Sequence, residues 1–344
     1  MSDDKNWILL KPSIRKAIHA AASSVITQGE IMTRASCPRK WMYRNALMLE
    51  KKGSTQEVFL IYGSLMHRLL EDYYASGMKE RGKASEVADE FFLGGELLTP
   101  NQIEEVALAI KKVQIAFEAY CDYYQEADSK MVILSVEQEP EVFFEGLRFS
   151  GKIDLVSRPN GPHDGVFLWD YKTSFRLTPL IVDSWTFRFQ FLFYTWLYWR
   201  YVGKKPDGIM VQGLLKPQIR PKKKENMNEF MDRIREEMTG EETRAGYFYR
   251  ERIPLGADTL ERFEAETLWP HIEAFKRLRI GGANLQALAM QQNTNQCHIY
   301  GSVCEFLRLC KDGWASIGEF NVREKKHSEL SNGNEKEGDD TGAA

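Results

Sequence analysis

Apolar residues recur at two different periods along this chain, and the change comes near Lys130. Between 101 and 126, Ile103, Val106, Ala107, Ile110, Val113, Phe117 and Tyr120 return at helical spacing and predict one long helix. Earlier helices are predicted around Ile14–Ile26, across Cys37-Pro-Arg-Lys-Trp-Met-Tyr43 with Ser36 or Thr33 as cap, and from a cap at Ser64 through Tyr74. From Met131 the pattern shortens to strands: Met131–Glu137, a hairpin turned at Glu145-Gly146, the run Gly151-Lys-Ile-Asp-Leu-Val156, and Phe167–Tyr171 beyond the turn formers Pro159-Asn-Gly-Pro162. Phe187–Tyr201 is so aromatic that it predicts a buried helix. Strands then follow at Gly208–Leu215 and Tyr247–Arg252. A last helix is expected over Thr259–Leu278, with Phe263, Leu268, Trp269, Ile272 and Phe275 inward.

Composition changes this picture little. The 344 residues are 43% hydrophobic and 12% aromatic, enough for a large core, and the formal net charge of -3 means that any polyanion site must be local. No run is long and apolar enough to span a membrane, and Met-Ser-Asp-Asp-Lys does not read as a signal peptide, so a cytoplasmic setting is expected. No Walker A loop indicates a fused motor. The densest basic run is Lys216-Pro-Gln-Ile-Arg220-Pro-Lys222-Lys223-Lys224, a solvated turn or a clamp for a nucleic-acid backbone. Arg39 and Lys40 make a smaller cationic pair.

The chemistry concentrates in two places. Asp154 closes Ile153-Asp-Leu155 and Asp170 opens Asp170-Tyr-Lys172; neighbouring strands would bring both carboxylates to one point, a site for a divalent cation. Lys172 leaves the strand by the same face as Asp170, and an ammonium beside a metal suits catalysis on a phosphate ester. Its expected work is positioning and charge relief rather than base chemistry, and the Tyr171 carbonyl could add an oxygen ligand. Gln190 and Tyr194 share a helix face, and Gln190 either is satisfied by backbone or orients a phosphate or a water. Glu137 and Glu139 could add a carboxylate. His67, read alone, is more often structural; as a ligand it would favour Mn²⁺ over Mg²⁺. The second place is Cys297, Cys304 and Cys310, too crowded for packing alone. Cys37 is the best fourth thiolate, because Cys121 falls mid-helix.

Gly63-Ser-Leu-Met-His67, Gly151-Lys-Ile-Asp154, Asp170-Tyr-Lys172-Thr-Ser, Gln190-Phe-Leu-Phe-Tyr194 and Cys37-Pro-Arg-Lys-Trp-Met-Tyr follow one another in an order that resembles the RecB-like branch of the PD-(D/E)XK nuclease superfamily. Within it the chain is similar to CRISPR-associated and AddB-type iron–sulfur exonucleases and to related phage nucleases, over roughly residues 33–310. The resemblance implies an α/β fold: a restriction-endonuclease-like core with a mixed central sheet flanked by helices, helical insertions, and a terminal region stapled by iron and sulfur. It implies a Mg²⁺- or Mn²⁺-dependent DNA exonuclease that cuts single-stranded ends, with the 5′ to 3′ polarity frequent among relatives, in phage or bacterial processing, recombination or repair. A recombination, replication or CRISPR-type protein partner would fit. A structure-selective endo- or flap nuclease with the same site is the alternative, and a silent binding module a more distant one.

The same resemblance implies a [4Fe–4S] cluster on Cys37, Cys297, Cys304 and Cys310. The usual gap of two residues between the second and third cysteines is six here, while the five-residue gap to Cys310 is kept, and Zn²⁺ is the competing occupant. The expected organisation is an N-terminal helical extension (1–28), a nuclease domain (29–323) with its catalytic core at about 130–215 and an insertion at about 75–130, and a disordered polar tail (324–344).

Overall fold

The computed structural model describes residues 12–52, 58–92, 99–176, 178, 185, 188–281, 285–299 and 301–323. The tail expected from 324 lies outside them. The chain forms two compact units, each assembled from separated segments: Met1–Ser54 with Glu139–Gly151 and Glu261–Ala344, and Thr55–Gln138 with Lys152–Leu260.

In the first unit, helix α1 (Pro12–Ser23) stops short of the expected Ile26. Val25 and Ile26 instead form β1, paired parallel to β5 (Leu147–Ser150), which pairs antiparallel with β4 (Glu141–Phe144) across the expected hairpin turn. β-branched residues pack better on a pleated surface than in a helix. Thr27 then opens α2 (Gln28–Ser36) with a complete capping box: its hydroxyl accepts from the Glu30 N–H and the Glu30 carboxylate accepts from its own N–H. Neither Thr33 nor Ser36 caps the next helix, α3 (Pro38–Trp41), because both lie inside α2; Cys37 holds the N-cap position. Strand β2 (Leu49–Lys51) pairs antiparallel with Phe320–Val322, tying the N-terminal segment to the C-terminal one. The helix expected from Thr259 is interrupted by a π turn over Phe263–Leu268. Trp269, just beyond it, is 37% exposed, whereas Phe263, Leu268, Ile272 and Phe275 are buried as expected.

The second unit carries a five-stranded mixed sheet. Its order is β3 (Val132–Gln138), β6 (Ile153–Arg158), β7 (Phe167–Ser174), β8 (Gly208–Leu215) and β9 (Phe248–Pro254); only β7 and β8 run parallel. Parallel neighbours need a crossover, here through α7 (Phe189–Val202). Period-two alternation separates two faces. Phe167, Trp169, Tyr171, Met210 and Leu214 join the main core with α4 (Val58–Ala75), α5 (Ala84–Phe92), α6 (Pro100–Asp128) and α8 (Met227–Thr239). Val156, Leu168, Ile209 and Val211 take the opposite face with Phe191 and Tyr198 of α7. Ser64 is not a cap, because the apolar run before it extends α4 back to Val58. α6 matches its expected span, although Ile103 in its first turns is 55% exposed. Among the described residues no helix is long and apolar enough to cross a membrane.

A buried polar network holds α4 and α6 against this sheet. Asp128 accepts from Tyr74 Oη at 2.8 Å and from Arg250 Nη1 at 2.5 Å, and Arg250 Nε donates to Gln212 Oε1 at 2.7 Å. The Tyr74 ring stacks on Tyr171 at 6.2 Å. Asp128→Ala leaves the guanidinium buried without its anion, which costs about 3–5 kcal/mol. Urea unfolding is expected to shift by that amount; a change under about 1 kcal/mol would remove this network from the stabilising core.

Candidate active site

Asp154 and Asp170 face each other across the β6–β7 pair. The ladder pairs Leu155 with Trp169, so its next position sets Asp154 opposite Asp170. Continuing across β3, Gln138 pairs with Ile153 and Val136 with Leu155, which sets Glu137 opposite Asp154. Asp154 Oδ2 accepts from the Tyr171 N–H at 2.8 Å. Lys172 Nζ donates to Asp170 Oδ1 at 2.9 Å and lies 3.3 Å from Gln190 Oε1, while Gln190 Nε2 donates to Asp170 Oδ1 at 3.1 Å. Gln190 therefore bridges carboxylate and ammonium from the first turn of α7 rather than being satisfied by backbone. Tyr194, one turn on, hydrogen-bonds Gln190.

His67 comes from α4 on the other side. Its Nδ1 is 3.8 Å from Asp154 Oδ2, its ring meets Tyr171 edge-on at 5.7 Å, and it hydrogen-bonds the Tyr171 backbone. The expected metal-binding set of His67, Asp154, Asp170 and the Tyr171 backbone is thus brought to one place. Lys152 was not expected here. It pairs with Glu137 and raises the positive potential at Asp154 and His67. Its signal was available, since Lys152 lies two positions before Asp154 and Glu137 ends a strand, but their pairing needs the β3–β6 register.

The electrostatics suit a cation. Burial pushes both carboxyls up, to about 6, and the Asp154 charge pushes Asp170 further the same way; the Tyr171 N–H and Lys172 oppose the rise. Burial also holds the His67 imidazole below its usual value, so the neutral, ligating ring prevails at neutral pH. Burial, then the two aspartates, push the Tyr194 phenol up and keep it protonated. Asp170 Oδ2 is buried with no donor in hydrogen-bond geometry, although Lys172 Nζ lies 2.6 Å away off that line. Two destabilised carboxylates and a neutral imidazole fit a divalent ion. Among the described residues no three such side chains already close into a coordination shell.

In the first unit, Cys37, Cys297, Cys304 and Cys310 line one pocket with Lys40, Gln292, Asn293, Gln296, Phe306 and Leu307. All four thiols are free. Between Cys297 and Cys304, His298 and Ile299 pair antiparallel with Val303 and Ser302, and the Cys304 N–H donates to the Cys297 carbonyl at 2.9 Å. The long gap therefore returns its two cysteines to each other. Burial raises the Cys304 and Cys310 thiols, with Lys40 and Arg39 pulling each back. Four thiols are the donor type of a thiophilic ion or cluster, although among the described residues no three His, Cys, Asp or Glu side chains already close into a coordination shell. Arg39 Nε donates to the Met290 carbonyl at 2.9 Å, beside the pocket.

The remaining basic candidates separate. Lys222, Lys223 and Lys224 are exposed, and Arg220 contributes its carbonyl to Arg233. Lys216 is 8% exposed, with its ammonium 5.0 Å from the Tyr62 ring and 5.1 Å from the Phe175 ring.

Comparison with known proteins adds a family. The model of the PD-(D/E)XK nuclease superfamily matches residues 26–311. Among solved structures, the chain is similar to a Eubacterium rectale protein described as a putative exonuclease, at 13% identity and a TM-score of 0.42, covering 94% of this chain and 97% of that one. It is also similar to SSO0001, at 13% identity and a TM-score of 0.26, covering 75% and 84%. No curated protein matches it.

Proposed function

We propose a function for a chain that belongs to the PD-(D/E)XK nuclease superfamily: it is a divalent-metal-dependent deoxyribonuclease that hydrolyses phosphodiesters at single-stranded DNA ends, within the RecB-like branch. The observation that carries this reading is the convergence of Asp154, Asp170, Lys172 and Gln190, with His67 beside them. Asp154, Asp170, His67 and the Tyr171 carbonyl would hold Mg²⁺ or Mn²⁺, which supplies an activated water and charge relief on the phosphoryl oxygens. Lys172, poised at Asp170 and Gln190, sets its ammonium against the developing phosphoryl charge. Gln190 fixes the direction of that ammonium, and the protonated Tyr194 fixes Gln190. Burial of the carboxylates keeps bulk water from competing for them. The four cysteines hold a [4Fe–4S] cluster or, failing that, zinc, as a structural link within the first unit. Work on DNA ends in a bacterial or phage-infected cytoplasm, in recombination or repair, follows from the same reading.

The test is an anaerobic titration of the full chain with Mg²⁺ and Mn²⁺, using single- and double-stranded DNA labelled at either end, and a circular single strand. Metal-dependent release of short products from linear single strands, abolished by EDTA, is expected. Cleavage of the circle would replace the exonuclease reading by an endonuclease one. Absence of cleavage on every substrate with either ion would overturn the deoxyribonuclease assignment.

A further inference from the structure

The Glu137–Lys152 ion pair stands on the same sheet face as the Asp154 and Asp170 carboxylates. Lys152 lies two positions before Asp154, and Glu137 holds the position opposite Asp154 on β3. The Lys152 ammonium acts electrostatically on both Asp154 and His67, as Lys172 does from β7. An ordinary surface bridge contributes little, but two features set this one apart. The Glu137 side chain is 12% exposed and that of Lys152 39%, so the carboxylate is the sunken member and the lysine the accessible one. Glu137 also has a φ of 49°, in the left-handed region that a Cβ disfavours, although the ladder pairs on both sides of it, Val136 with Leu155 and Gln138 with Ile153, are kept. Strain of that kind persists only where the surroundings hold it, and it concentrates at functional sites.

Charge and place then assign the lysine a task. Three carboxylates, Asp154, Asp170 and Glu137, share this part of the sheet with two ammoniums, Lys172 and Lys152. Lys172 is engaged by Asp170 and Gln190, where the proposed reaction needs it for the scissile phosphoryl group. Lys152 is held toward β3, with β6 between β3 and β7, and two strand spacings cover about 10 Å. It therefore falls to a neighbouring phosphate. An ammonium has three donors, and a single carboxylate partner does not occupy them all.

We propose that Lys152 is a substrate-binding residue that takes the phosphate next to the scissile one, and that Glu137 is the positioning residue that holds it beside the carboxylates until DNA arrives. This deepens the proposed function and rests on it for the substrate. A free lysine chain must be ordered on binding, whereas one already held loses less freedom. The arriving phosphate shares the ammonium with Glu137, and the contact reads charge rather than sequence. It also releases a counterion from the strand, which leaves a signature in salt dependence that a purely structural ion pair lacks.

The experiment compares wild type, Lys152→Ala, Lys152→Arg and Glu137→Gln on single-stranded oligonucleotides in which one phosphate at a time is replaced by an uncharged methylphosphonate. Binding is read by fluorescence anisotropy in EDTA over a series of KCl concentrations, and cleavage with Mn²⁺ as KM and kcat separately. Lys152→Ala is expected to raise Kd and KM about 10-fold, more than it lowers kcat, and to make the slope of log Kd against log[KCl] shallower by about 0.7. Lys152→Met, which keeps the apolar stem, repeats the test if the alanine variant does not fold. Lys152→Arg should keep the slope. Glu137→Gln should keep it too and bind no more weakly than wild type, because it removes an anion that competes with the phosphate. A pair that merely staples β3 to β6 would lose alike from either member. One methylphosphonate position should weaken binding by wild type and not by Lys152→Ala. If wild type cleaves but the neutral variants match it in Kd, KM, slope and methylphosphonate pattern, or if Glu137→Gln weakens binding as much as they do, the phosphate contact is overturned and the nuclease reading stands. If wild type binds with the Lys152-dependent pattern but cleaves nothing with Mg²⁺ or Mn²⁺, the contact stands and the nuclease reading falls.

Discussion

Asp170→Asn is expected to lower metal-dependent DNA cleavage by at least about 10³-fold, the largest loss of any single change in the catalytic site. Asp170 meets every other part of that site. Its Oδ1 accepts from Lys172 and Gln190, its Oδ2 lies 2.6 Å from the Lys172 ammonium, and Asp154 stands across the ladder. The amide removes a cation ligand and presents an NH₂ group toward an ammonium. A folding defect would also silence cleavage, so stability provides the control. Both carboxyls are raised to about 6 in the fold, above their ordinary values near 4. Between those values the folded protein binds more protons than the unfolded chain, so this contribution to stability is full below about 4 and is lost as pH rises through about 6. Without metal, Asp170→Asn is therefore expected to lose less stability than wild type as pH rises across that window. Mn²⁺ at neutral pH should raise the melting temperature of wild type and leave the variant unmoved. Retained cleavage, or an equal Mn²⁺ shift in both proteins, would remove Asp170 from the metal site.

Local chemistry was legible in the sequence, and long-range pairing was not. The two acids announced themselves because a turn-former cluster, Pro159-Asn-Gly-Pro162, separates two apolar runs, and an antiparallel neighbour could then set Asp154 against Asp170. The aromatic density of α7 foretold a buried helix, and Gln190 and Tyr194, four apart, foretold a shared face. The Glu137–Lys152 pair was out of reach because it depends on the β3–β6 register, which local sequence does not encode. The π turn at Phe263–Leu268 was equally hidden in the sequence. The capping box at Thr27-x-x-Glu30 is written in its motif, but the apolar run into Ile26 ahead of it has the pattern of continued helix.

With the proposed group on the four cysteines, Cys304→Ser is expected to cost the first unit that group and several kcal/mol of stability while leaving the fold of the second unit intact. The pocket joins Cys37 to a C-terminal segment, closing a loop of roughly 260 residues, and such a closure removes about 5 kcal/mol of chain entropy from the unfolded state. The group also relieves the thiols whose ionisation burial disfavours. The observed loss should be smaller than for a site that alone holds its fold, because the same two segments are tied by the β2 ladder to Phe320–Val322, by Arg39 to the Met290 carbonyl, by Asn293 to the Ser36 carbonyl and by Arg44 to Glu305. Those links should keep the variant folded in the cold and let its first unit open on warming. Wild type purified without oxygen should be brown, with absorbance at about 400 nm that air bleaches; Cys304→Ser should be colourless and release its C-terminal segment early in limited proteolysis. A colourless wild type holding stoichiometric zinc would replace the cluster by zinc and keep the staple. A wild type with neither metal, and a variant no more sensitive to protease, would overturn both, leaving the four cysteines as neighbours in a pocket that binds nothing.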